Sequence, residues 1–158
     1  MTDAGAASVH ASAVLVDHRA VLIRGPSGAG KSRLAFELIL AGRSGQIPPA
    51  VLVGDDRLHL LARDGQLLVR SAPQLAGLIE IRGLGIRRCD FIAQAVVGLV
   101  VDLAAADSAR LPGPQALKTR IQGVEIPRIP IGSAFMALPL VVAALTTIEG
   151  SETRPTFE

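Results

Sequence analysis

Residues Val21 to Ile39, VLIRGPSGAGKSRLAFELI, set an apolar run against a glycine-rich turn and then a helical pattern. Gly25, Gly30, Lys31 and Ser32 fit the spacing G-x-x-x-x-G-K-[ST], with a predicted strand before it and a predicted helix after it. No other feature constrains the fold as much. A loop of this kind needs a buried strand to deliver it and a helix N-terminus to complete it, so the chain is expected to be α/β. Glycines let the backbone turn its N–H groups inward around phosphate oxygens, and the helix adds the positive end of its dipole. Gly25, Pro26, Ser27, Gly28, Ala29 and Gly30 would form the cradle. Lys31 would reach the outer phosphates, and the Ser32 hydroxyl would ligate Mg²⁺.

The rest of the chain alternates extended and helical signals. Ala13 to Val16 and Ala20 to Arg24 read as a hairpin-like pair, and Leu34, Ala35, Leu38 and Ile39 form a helical stripe in Ser32 to Ala41. AVLVGDD, beginning at Ala50, reads as a buried strand ending on two carboxylates. Short strands at Leu58 to Ala62 and Gln66 to Arg70 flank Asp64-Gly65, a tight-turn pair. Gly77 to Ile81, Val96 to Leu103 and Pro127 to Ile131 are further extended pieces. A closing helix is expected in AFMALPLVVAALTTIEG, with Pro139 placed to kink or delay it.

At 158 residues the chain fits one domain, taken as residues 1–150 with a frayed tail at 151–158. Apolar residues make up 49%, yet no run approaches the roughly 18 that a membrane span needs. The first ten residues carry no export signal, so the expected location is cytoplasmic. The lone Cys89 excludes an internal disulfide and a thiolate-rich metal site. The 16 basic and 14 acidic residues are dispersed, and with no Trp or Tyr there are few platforms for bases, which argues against nucleic acid.

Three clusters could act on a bound phosphate. Asp55-Asp56-Arg57 ends a strand, where carboxylates face ligands in sheets of this type, one to hold Mg²⁺ and its neighbour to accept a proton. His10 precedes the first strand. In LIEIRGLGIRRCD, Glu80 and Arg82 share one strand face and Gly83 and Gly85 permit a turn. VGLVVD, ending at Asp102, is a rival to Asp55-Asp56, but apolar residues followed by Asp are a common string.

GPSGAGKS, LVGDDR and EIRGLGI together resemble the catalytic domain of the HPr serine kinase/phosphorylase family, over roughly Val9 to Ile131. The resemblance implies a P-loop-containing fold with a central mixed sheet and flanking helices, related to phosphoenolpyruvate carboxykinase. It implies ATP and Mg²⁺, an HPr-like phosphocarrier as acceptor, and a homo-oligomer, hexameric in the family. By the same resemblance Asp55 is the general base, His10 takes part in catalysis beside it, Asp56 and Glu80 surround the metal, and Arg110 in DSARLPG contributes to the transferred phosphoryl group. The chain is similar to a short form that has the catalytic domain alone. It departs from the family pattern at Arg33, where an acidic residue is usual, and at Gly132-Ser133-Ala134, where Gly-Arg-Asn is usual. A small-molecule kinase, a nucleotide hydrolase or a non-catalytic nucleotide sensor could use the same loop.

Overall fold

A computed structural model describes residues 7–150, and the predicted frayed tail lies outside the described residues. Strands β1 (Ala7–Val9), β2 (Ser12–Val16) and β3 (Arg19–Arg24) precede helix α1 (Lys31–Arg43). Strands β4 (Ala50–Gly54), β5 (Leu58–Arg63), β6 (Gln66–Ser71), β7 (Leu78–Ile81), β8 (Gly85–Arg88) and β9 (Gln94–Leu103) follow. Strands β10 (Lys118–Ile121) and β11 (Val124–Ile131) then lead to helix α2 (Ala137–Thr146). Among the described residues nine strands form one sheet in the order β1-β5-β6-β9-β3-β2-β4, with β11 also paired to β9 and β10 to β11, while β7 and β8 form a separate hairpin.

The sheet is mixed and curled, and β9 is where it branches. Its first residues pair antiparallel with β6 through Gln94 to Val96, and its last pair parallel with β11 through Val100 to Leu103. Along its opposite side it pairs parallel with β3. Central strands buried on both faces read as continuous apolar runs. Alternate side chains of β3 accordingly enter two cores: Val21 and Ile23 pack with Leu34 and Leu38 of α1, whereas Ala20 and Leu22 pack with Leu58, Leu67 and Val69 of the β5–β6 layer.

Strand direction assembles the site. β3, β9 and β11 run parallel, and β4 runs parallel to β3 because both pair antiparallel with β2. The C-terminal ends of these four strands therefore share one edge with the N-terminal end of β2. That edge carries the loop after β3, the Asp55-Asp56 pair after β4, the 104–117 segment after β9, and His10 before β2.

The β2–β3 hairpin pairs Val14 with Val21, as the apolar runs predicted, and Asp64 and Gly65 both take left-handed backbone at the β5–β6 turn. α2 starts only at Ala137, which puts Pro139 in the first turn, where its missing N–H would have had no helical partner. Pro139 thus delays the helix. β1, β8 and β10 are strands that the apolar pattern did not announce, and β1, held by pairing with β5, puts His10 between two strands where the sequence put it before the first. Among the described residues no helix is long and apolar enough to cross a membrane.

Candidate functional site

The glycine-rich loop joins β3 to α1, and Gly30 caps the helix in a left-handed conformation with φ 98°. Gly28 is left-handed too, at φ 81°. A side chain at either position would strain a turn that must present its backbone outward. The first turn of α1 has no side-chain cap and no acidic residue, so its free N–H groups and dipole favour an anion. Lys31 curls back over the loop, donating from Nζ to the carbonyls of Gly25 at 2.8 Å and Pro26 at 3.1 Å.

Asp55 is 4% exposed, the one buried charged residue among the described residues. Burying a carboxylate requires hydrogen-bond donors, and the fold supplies them. The Ser32 hydroxyl lies 2.8 Å from both Asp55 oxygens, the buried Ser12 hydroxyl donates to Oδ1, and the Glu80 backbone N–H donates to Oδ2 at 3.1 Å. The loop, β2, β4 and β7 thereby meet at one carboxylate.

Asp56 is its opposite. Its backbone is left-handed at φ 70°, a turn conformation that aspartate tolerates better than most residues and that bends the chain sharply after β4. Its carboxylate points to solvent, with His10 Nδ1 3.8 Å from Oδ1 and side-chain exposures of 73% for His10 and 79% for Asp56. The resemblance placed His10 beside Asp55; the described contact is with Asp56. The physical reason is that Asp55 turns inward to Ser12 and Ser32, leaving the next residue, on the outer side of the bend, to face the start of β2.

Glu80 joins the cluster through its backbone, and its own side chain is exposed. Among the described residues no three of His, Cys, Asp and Glu group closely enough to hold a metal ion by themselves. The donor set nevertheless suits Mg²⁺, which takes one or two protein oxygens and fills its remaining positions with phosphate oxygens and water. Ser32 and Asp55 offer such a hydroxyl and carboxylate side by side.

Arg82, which follows Glu80 and Ile81, brings Nη2 to within 3.7 Å of the position a side chain at Gly28 would occupy. The sequence put it on one strand face with Glu80, whereas it lies in the turn just after β7, and nothing local told that it overhangs the loop. Arg110 is exposed on the 104–117 segment, with neither an ion pair nor a hydrogen bond described for it. The segment does begin against the loop, for a side chain at Gly25 would touch the Leu103 Cβ at 3.0 Å.

Asp102, the rival carboxylate, is already engaged. Arg24 grips it with Nε at 2.7 Å and Nη2 at 2.8 Å, and Arg128 donates Nε to its second oxygen. Burial alone would raise its pKa, but the two guanidiniums outweigh that and hold it below the ordinary carboxylate value. Burial pushes the half-buried Cys89 thiol up, against the pull of Arg43, so it stays protonated and packs as a small apolar residue.

The family described as HPr Serine kinase C-terminal domain matches residues 3–145. The HPr kinase/phosphorylase of Geobacillus thermodenitrificans is 38% identical over 135 residues, covering 78% of this chain and 41% of that protein. That of Mycoplasma mycoides is 33% identical over 139 residues, covering 79% and 42%. This chain thus spans about two fifths of the length of these relatives. Among solved structures, the HPr(Ser) kinase/phosphatase from Coxiella burnetii superposes with a TM-score of 0.69 at 28% identity, over 88% of this chain and 93% of that one.

Proposed function

The chain belongs to the HPr serine kinase C-terminal domain family, and from that premise we propose that it transfers the γ-phosphoryl group of ATP to a serine of an HPr-like phosphocarrier, with Mg²⁺. In this reading the Gly25–Ser32 segment is a phosphate-binding loop, in a fold related to phosphoenolpyruvate carboxykinase, and the enzyme works as a homo-oligomer, a hexamer by resemblance. The observation that carries the proposal is the contrast between two adjacent carboxylates at one glycine-rich loop: Asp55, buried on Ser32, and Asp56, open to solvent beside His10.

That contrast favours roles opposite to those expected from resemblance. Asp55 with Ser32 belongs to the metal, and Glu80 supports Asp55 through its N–H. When bound, Mg²⁺ would neutralise charge on the phosphate oxygens. Asp56 is free to meet an incoming hydroxyl, and its proton acceptance lets the serine oxygen bond to the γ-phosphorus as the bond to ADP breaks. His10, 3.8 Å away, orients that carboxylate. Lys31 and Arg82 lie where they can hold the phosphates, and Arg110 is the candidate to stabilise charge on the group in flight. In the reverse direction inorganic phosphate would attack phosphoserine, Asp56 would return the proton to the serine oxygen, and pyrophosphate would leave.

Incubation with labelled ATP, Mg²⁺ and the HPr-like protein of the same organism tests the reading. Label on a serine of that protein, absent with Lys31→Ala, is the expected result. Nucleotide turnover with no labelled protein would point instead to a small-molecule kinase or hydrolase, and binding without turnover to a sensor.

A further inference from the structure

Loop 104–117 is tied to β11 at both ends. At its start the Ala105 N–H donates to the Ile131 carbonyl at 2.9 Å, and at its finish the Arg128 N–H donates to the Leu117 carbonyl at 2.8 Å. One side chain then grips both limbs. Arg128 donates Nη1 to Asp107 Oδ2 at 2.7 Å, Nη2 to Asp107 Oδ1 at 3.0 Å, and Nη1 again to the Ala116 carbonyl at 2.9 Å. Its Nε reaches Asp102, whose two oxygens are held by Arg24, the residue immediately before Gly25. A continuous chain of charge-assisted hydrogen bonds therefore runs from the root of the glycine-rich loop, through β9 and β11, to both limbs of the 104–117 loop. Arg128 and Asp102 are only 14% and 15% exposed, so much of this chain is shielded from solvent and from salt. Bidentate guanidinium–carboxylate pairing fixes orientation as well as distance.

Arg110 and Leu111 lie between the two gripped limbs and are exposed. An unanchored loop of this length would spread such a cation over many positions, whereas gripping both limbs restricts where it can go. We propose that Arg24, Asp102, Arg128 and Asp107 form a strut that sets the 104–117 loop against the phosphate-binding loop, with Asp107 and Arg128 as positioning residues acting through Arg110. The proposal rests on the phosphoryl-transfer reading for its effect on rate, but its structural half can be read without any acceptor.

Asp107 suits the test because it is 52% exposed and its removal leaves the shielded pair intact. In hydrogen exchange, ATP with Mg²⁺ should protect both residues 25–32 and residues 104–117 of the unsubstituted protein. In Asp107→Ala the first protection should remain and the second be lost. Transfer should fall about 10- to 100-fold at unchanged ATP affinity, as expected for a misplaced group. The double variant Asp107→Ala with Arg110→Ala should be no slower than Arg110→Ala alone. Unaltered protection of 104–117 in Asp107→Ala, or no protection there in the unsubstituted protein, overturns the strut even if no acceptor is ever labelled. Additive losses of rate overturn its action through Arg110. A failed acceptor assay with the expected exchange pattern would instead count against the kinase reading alone.

Discussion

At the scale of single residues, two neighbouring aspartates have been given different surroundings, and their replacement should separate binding from chemistry. On the proposed roles, Asp55→Ala leaves Ser12 and Ser32 without their shared acceptor and takes a carboxylate from the metal site, so Mg²⁺-ATP affinity should fall in calorimetry. Asp56→Ala should bind Mg²⁺-ATP normally yet transfer slower by about 10²–10⁴-fold, because a proton acceptor contributes in the transition state and little to ground-state binding. Equal loss of affinity in both variants would remove the distinction. His10→Ala should resemble a weaker Asp56→Ala, with thermal stability unchanged because both side chains are largely in solvent.

At the scale of elements, close packing around Gly54 holds β4 where Asp55 can turn inward. A Cβ there would lie 2.5 Å from Leu58 Cδ2 and 2.9 Å from Ser71 Cβ. The leucine tip can rotate away, but the serine Cβ is fixed to its backbone, so Gly54→Ala should cost about 1–3 kcal/mol in denaturant unfolding. The Asp102 contacts join β3, β9 and β11, and Asp102→Asn leaves Arg24 facing no carboxylate and Arg128 with Asp107 alone, at a cost of about 3 kcal/mol near neutral pH. Because the folded-state pKa of Asp102 is depressed, its contribution is complete above the ordinary carboxylate value and vanishes as pH falls through the depressed one. The stability gap between the unsubstituted protein and Asp102→Asn should therefore narrow below about pH 4. These elements also mark how far the sequence could be read. The strand–turn–helix course through Gly25 to Ser32, the place of Asp55 at the end of β4, and the β2–β3 and β5–β6 hairpins were legible because their signals lie within a few neighbouring residues, whereas the inward turn of Asp55 onto Ser12 and Ser32 was not. His10 was legible as a candidate but its partner was not, since that depends on β2 being inserted between β3 and β4. Asp102 looked like a competitor for the phosphate site, for no local pattern reveals that register places it opposite Arg24, 78 residues away. β10, with the charged sequence KTRI, has a partner in β11 but no apolar alternation of its own to announce it.

At the scale of the whole molecule, the site draws on the loop, β2, β4 and β7 at once, so a bound nucleotide should stabilise the domain as a unit. At a free concentration near 100 times its dissociation constant, Mg²⁺-ATP should add about 2.7 kcal/mol and raise the thermal midpoint by about 5–10 °C. Chelating the metal should remove most of that gain, and Lys31→Ala nearly all of it, in a thermal-shift measurement with and without nucleotide. The pairing of β3 with β9 sets a timetable as well as a shape. During synthesis the glycine-rich loop leaves the ribosome long before Asp102, and Arg128 later still, so Arg24 waits for its carboxylate until most of the chain has been made. The β2–β3 hairpin can form while the chain is still growing, but the strand beside it cannot be filled early. Folding should accordingly be governed by long-range strand pairing, in the slow millisecond-to-second range of such topologies, and the ability to hold a nucleotide should appear late and all at once.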